Sequence, residues 1–185
     1  MEHGNKKKAS KKNYYTENEI VNILEQVVKG LLYLQKKNIA HRDIKPQNVL
    51  VFPNNIYKIA DLGEAKTIIN INDQSTLRGS QLYMSPALYQ GYKYSKPNIL
   101  HNPYKSDMFS LGYCFFYAIC LDLKILENIR ELSTINSVMS AVNKFNVKKR
   151  YSDTLMKILF KMIDPVENKR YDFEELNEDL KKYFK

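Results

Sequence analysis

The stretch HRDIKPQNVL, His41 to Leu50, decides how this chain is read. It sets His41, Arg42, Asp43, Lys45 and Asn48 within eight positions, directly ahead of two short β-prone runs, NVLVF and IYKIA. The intervening Pro53-Asn54-Asn55 is a turn signal, so the two runs read as a hairpin. Asp61-Leu62-Gly63 closes it. Such a hairpin brings two polar bends side by side. A capped turn with solvated side chains would explain each of these residues singly, but not their coincidence.

Working outward, the period of the chain is mostly helical. Thr16 and Glu19 form a T-x-x-E capping box ahead of Ile20, Ile23, Leu24, Val27, Val28 and Leu31, which predicts an amphipathic helix running to about Lys37. From Asp61 to Asn102 no clear period appears, only Gly, Pro, Ser and polar residues, and a loop that long is usually functional. Helices resume near 107–121, then in a segment carrying Ile135, Val138, Met139 and Val142, near 153–163, and from Asp172. Met108 to Leu121, between Asp107 and Asp122, is apolar on every side and reads as a buried central helix. The expected fold is mainly α: a helical bundle around that helix, with one small β-hairpin. No internal repeat or linker divides residues 14–185.

Composition agrees with a packed globule. The 185 residues are 44% hydrophobic and 12% aromatic, enough for one domain that buries roughly 70% of its unfolded surface. Two cysteines, Cys114 and Cys120, are too few for a disulfide framework, which fits a reducing compartment. The net charge is +9, and five lysines fall within Asn5 to Lys12. Residues 1–13 read as a mobile Lys-rich tail. Its charge alone is no argument for nucleic acid, although an import receptor could read it. Residue 2 is Glu, so an N-terminal glycine for acylation is missing, and no apolar signal core follows. The run 108–121 is too short to span a bilayer. A cytoplasmic setting is expected, with nuclear entry as the alternative.

His41-Arg42-Asp43, Lys45 and Asn48, followed thirteen residues later by Asp61-Leu62-Gly63, resemble the catalytic loop H-R-D-x-K-x-x-N and the D-F-G element of protein kinases. The resemblance implies the large C-terminal lobe of a serine/threonine kinase, with a catalytic loop at 41–48 and an activation segment at 61–87. It implies that Asp43 orients the substrate hydroxyl and Lys45 neutralises the moving phosphoryl group. Asn48 and Asp61 would hold Mg2+, and Leu50 would lie under the adenine of ATP. His41 would be structural, stacking on Leu62. Further on, GSQLYMSPAL (Gly79 to Leu88) is similar to the family's G-T-x-x-Y-x-A-P-E segment, with Ser80 as the hydroxyl that orients Asp43 and Lys45. Arg42 implies pairing with a phosphate on the activation segment. Thr76 stands at the usual place of the acceptor, with Lys66 as a second phosphate partner; the alternative makes Ser75 and Thr76 ordinary loop hydroxyls. KSDMFSLG places Asp107 where the family binds the backbone of the catalytic loop, and DPVENKRYDFEEL supplies Arg170.

Two departures follow. Ser85-Pro86-Ala87 lacks the glutamate that normally pairs with the arginine at 170, and a broken buried pair costs about 3–5 kcal/mol unless the survivor finds a substitute. Pro97 to Pro103 reads as an insertion that reshapes this region. The second departure is larger. The glycines stand at 4, 30, 63, 79, 91 and 112, so no G-x-G-x-x-G occurs, and too few residues precede Glu17 for the family's small lobe. The expectation is therefore a kinase large lobe of very low activity on its own, acting on a protein substrate, with its small lobe either encoded upstream of this sequence or supplied by another chain. The alternative is a pseudokinase-type module that docks a partner protein through the floor around Leu50 and Leu62 or through the Lys-rich tail.

Overall fold

The structure is a computed structural model and describes residues 14–71, 74–122, 124, 127, 129, 132, 134–144 and 149–184. The Lys-rich stretch 1–13 lies outside the described residues.

Helix α1 (Glu17–Lys36) begins at the predicted capping box. The Thr16 amide donates to Glu19 Oε2 at 2.7 Å and the Glu19 amide to Thr16 Oγ1 at 3.3 Å. The helix ends at Asn38, whose φ of 57° is the left-handed turn that asparagine tolerates. Its period of apolar residues buries Ile20, Leu24, Val27 and Val28 completely. Strand β1 (Ile39–Ala40) then leads into the loop 41–48, and the predicted hairpin follows as β2 (Val49–Phe52) and β3 (Ile56–Ile59). They pair antiparallel with Val49 opposite Ile59 and Phe52 opposite Ile56. The turn takes positive φ at Asn54 and Asn55.

The stretch 61–102 has more order than its sequence announces. β4 (Lys66–Thr67) returns to pair with β1, and β5 (Ser75–Thr76) pairs with β6 (Asn98–Ile99). Between them lies α2 (Pro86–Lys93), started by Ser85 and by proline at its first position. The expectation of one long irregular loop is thus corrected. Strands of two residues carry no detectable alternation, and a helix that buries only Leu88 and Gly91 shows too little of a period to be read.

Helix α3 (Pro103–Cys120) starts four residues earlier than expected, because Asn102 Oδ1 caps it by accepting from the amides of Tyr104 and Lys105 at 3.0 and 3.1 Å. It is the axis of the core: Met108, Phe109, Leu111, Tyr113, Phe116 and Ile119 are all buried. α4 (Ile135–Asn143), α5 (Asp153–Met162) and α6 (Phe173–Tyr183) surround it, with α5 packed on α3 and α6 on α1. Each large apolar side chain taken out of water here contributes roughly 1.5–3 kcal/mol. That burial makes α3 the fixed reference for whatever is attached to it. Among the described residues, no helix is long and apolar enough to cross a membrane.

Candidate active site

The loop 41–48 is bolted to α3 through its main chain. Asp107 Oδ2 accepts from the amide of His41 at 2.7 Å and Oδ1 from the amide of Arg42 at 2.8 Å. Burial pushes the Asp107 carboxyl up to about 7, against the pull of those two donors and the Arg42 charge. Arg42 itself adopts a φ of 70°, a conformation that needs such outside support. The imidazole of His41 is buried. Its Nε2 lies 3.0 Å from the Ala60 carbonyl, and its Nδ1 accepts from the Asp43 amide at 3.4 Å. Burial lowers its pKa, so the neutral ring ties the loop to the end of β3. Leu62, expected to stack on this ring, leaves 52% of its surface exposed.

Asp43 is held from three directions. The amide and hydroxyl of Ser80 both donate to Oδ1, at 2.9 and 2.8 Å, and Lys45 Nζ donates to Oδ2 at 2.6 Å. Lys45 also reaches Ser80 Oγ at 3.2 Å. Asn48 Nδ2 donates to the Asp43 carbonyl at 2.8 Å. Burial pushes the Asp43 carboxyl up, but the hydrogen bonds from Lys45 and Ser80 and the lysine's charge outweigh it, so the net shift is downward. A carboxylate so fixed and ionised can accept a proton in one defined direction. Ser80 reaches it because Gly79 takes a φ of 104° and passes tight over the loop. A Cβ there would lie 2.7 Å from the Arg42 carbonyl oxygen, so only glycine fits.

The pair expected to hold Mg2+ is brought near by the hairpin: the Ala60 amide donates to the Asn48 carbonyl at 2.8 Å. Asn48 commits its amide nitrogen to Asp43 and so offers a cation its oxygen. Asp61 is exposed, at φ 63°, with Oδ1 accepting from the Gly63 amide at 3.2 Å. Among the described residues there is no group of three or more metal-binding side chains. The Asn48 oxygen and the exposed Asp61 carboxylate are hard donors of the kind magnesium takes, one or two from protein with water and substrate phosphates completing the shell. The residues present therefore fit the ion. Leu50 is 45% exposed on the adjoining face.

Arg42 donates through Nη2 to both the carbonyl and the hydroxyl of Thr76, at 2.7 and 2.9 Å. Arg78 lies 3.5 Å from Glu64. Lys66 is exposed on β4, opposite Ala40.

The residues at 170 and 101 hold what sequence alone did not reveal. Arg170 is 2% exposed, and Ala87 stands where the family's glutamate would be. Instead Nε donates to the Asp164 carbonyl at 2.6 Å, Nη1 to Lys105 at 3.2 Å and Nη2 to Pro165 at 3.1 Å, while the guanidinium lies 5.0 Å from the Phe109 ring centre. Three main-chain carbonyls and a ring face meet the guanidinium, and the nearby charges of Glu167 and Asp164 favour its charged form. Beside it runs a buried chain: His101 Nδ1 lies 2.8 Å from Ser106 Oγ, which lies 2.9 Å from Ser85 Oγ. Burial lowers the His101 pKa to about 4. A lone histidine inside the Pro97–Pro103 insertion was the only advance sign of it.

A carboxylate, a lysine, a serine and an amide thus meet at one bend of a helical lobe, beside a second bend that carries an exposed acid. This is the constellation of the protein-kinase large lobe. The family model for the protein kinase domain matches residues 1–183, and the chain belongs to that family. Among the proteins it resembles are several serine/threonine-protein kinases. Serine/threonine-protein kinase Nek4 of Mus musculus is 39% identical over 112 residues, 60% of this chain and 13% of that protein. A probable serine/threonine-protein kinase, the MRK1 homolog of Encephalitozoon cuniculi, is 34% identical over 124 residues, 67% of this chain and 36% of its own. Serine/threonine-protein kinase ATG1 of Saccharomyces cerevisiae is 29% identical over 196 residues, 89% of this chain and 20% of that protein. The chain therefore spans between 13% and 36% of the length of these relatives.

Proposed function

We propose that this chain is the large lobe of a serine/threonine protein kinase that transfers a phosphoryl group from Mg-ATP to a protein hydroxyl. The observation that carries the reading is the Asp43 carboxylate, gripped by Ser80 on one oxygen and Lys45 on the other. Asp43 orients the substrate hydroxyl and takes its proton at a carboxylate oxygen. Lys45 places positive charge beside that carboxylate, where phosphoryl charge would gather. Asn48 and Asp61 would hold magnesium, which when bound offsets phosphate charge. Arg42 and Thr76 are the regulatory pair of this reading, with Lys66 as a further cation on the same segment. The described residues contain no Gly-rich loop and no strand lysine for the nucleotide phosphates, and each missing donor typically costs about 10²–10³ in rate. The expected intrinsic activity of these residues alone is very low, and a small lobe from elsewhere would raise it. A phosphotransfer assay on a generic basic protein, with Asp43→Asn as control, tests the reading. Incorporation that is equal in the two chains overturns it.

A second reading, a docking module of pseudokinase type, is favoured by a different observation. Leu50, Phe52 and Ile56 are exposed on one face of the hairpin, Val51 is exposed on the other, and Leu62 is exposed just beyond β3. Beside them an apolar cavity of about 290 Å³ opens between α1, the hairpin and α3, lined by Ile20, Val27, Val49, Val51, Leu111 and Phe115 among others. Apolar surface of this kind marks a partner's footprint. The partner would be a protein, in a cytoplasmic or nuclear setting. Thermal stabilisation by ATP with Mg2+, compared with Asp61→Asn, separates the readings: a shift confined to the wild type supports the kinase.

A further inference from the structure

The segment Pro97 to Asn102 straps the activation segment to the rest of the lobe. β6 pairs with β5, Ser75 opposite Ile99 and Thr76 opposite Asn98. One residue on, the Leu77 amide donates to the Pro97 carbonyl at 2.8 Å. The Ile99 side chain lies flat across Gly91 of α2: a Cβ at that glycine would come within 2.1 Å of Ile99 Cδ1 and 2.6 Å of Cγ1. The far end of the strap is fixed twice. His101 is bonded to Ser106, and the Asn102 amide donates to Glu167 Oε1 at 3.1 Å. On the other side of the β5–β6 pair, the carbonyl and hydroxyl of Thr76 take the two bonds from Arg42. A continuous path of contacts thus runs from α2 through Ile99, β6, β5 and Thr76 to Arg42, the neighbour of Asp43.

A phosphate on an activation segment acts by giving its arginine an anion and so pinning the segment. Here the arginine already has two acceptors on Thr76, and main-chain bonds to β6 pin the same residue. We infer that the 97–102 strap holds the activation segment in its bonded form with Thr76 unmodified, and that Ile99 is a positioning residue for Arg42 and Asp43. The consequence for turnover rests on the kinase reading, whereas the ordering of the segment does not.

Hydrogen exchange on the phosphatase-treated full chain tests this directly. In the wild type the Leu77 amide should exchange at least about tenfold more slowly than an unstructured reference. Ile99→Val should keep that protection. Ile99→Gly and Gly91→Leu should each lose it and gain trypsin cleavage after Arg78. The α3 amides, unchanged, report that the lobe is folded. If Gly91→Leu fails to fold, Ile99→Gly still decides. Free exchange at Leu77 in the unphosphorylated wild type overturns the inference, as does protection that survives in Ile99→Gly or that appears only after Thr76 is phosphorylated. A failed phosphotransfer assay would sink the kinase reading and leave these exchange results standing.

Discussion

Ser80 gives both its amide and its hydroxyl to a single oxygen of Asp43, at 2.9 and 2.8 Å, across 37 positions of sequence. In the kinase reading proposed above, this joins the activation segment to the residue that takes the proton. Ser80→Ala keeps the amide bond and loses the hydroxyl. In the kinase reading, phosphotransfer measured with a small lobe supplied should fall by about 10²-fold, the usual effect of removing one aligned donor. Ser80→Thr should retain most of the rate. The hydroxyl is also among the groups that hold the Asp43 carboxyl low, so the acid limb of the pH–rate profile should move to higher pH in Ser80→Ala. An unmoved limb would separate Ser80 from Asp43.

Asp107→Asn tests the attachment of the catalytic loop. An asparagine can accept from one of the His41 and Arg42 amides but turns an N–H towards the other. A buried donor left unsatisfied costs about 1–3 kcal/mol. Urea unfolding should show a loss of that order, and hydrogen exchange at Arg42 should quicken more than exchange in α1.

His101 predicts a pH dependence of stability. Its folded pKa of about 4 lies below the ordinary value of 6.5, so the folded chain binds fewer protons than the unfolded one. The stability it contributes is fully present above pH 6.5 and is lost as pH falls towards 4, by at most about 1.4 kcal/mol per pH unit. His101→Gln removes the titration. The stability difference between wild type and variant should therefore shrink as pH drops from 7 to 5. A constant difference would mean that the imidazole does not titrate there.

At Arg170, lysine is not a conservative change. A single ammonium cannot reach the carbonyls of Asp164, Lys105 and Pro165 along the directions the guanidinium uses. Arg170→Lys should lower stability by about 2–4 kcal/mol, from buried acceptors left without donors, with the melting temperature as readout. Retention of the wild-type melting temperature would refute the role of the three carbonyls.

The site was legible in the sequence wherever its residues are neighbours along the chain. Asp43, Lys45 and Asn48 share one bend, and the hairpin that follows has a strong turn signal at Asn54 and Asn55. The capping box at Thr16 and the central helix were readable for the same reason, since both are local patterns. What escaped depends on distance. The β5–β6 pair joins residues more than twenty positions apart through main-chain atoms that any sequence carries. Arg170 looked like a broken pair because its new partners are carbonyls, which leave no trace in residue identity. α2 was hidden by its brevity, although the Ser85-Pro86 start could have announced it.

The grip of Asp107 is placed on two amides, not on the side chains of His41 or Arg42. Every amino acid except proline offers the same handle. Sequence drift at these two positions can therefore rewrite the chemistry of the bend, or strip it away, while its seat on the central helix survives unchanged.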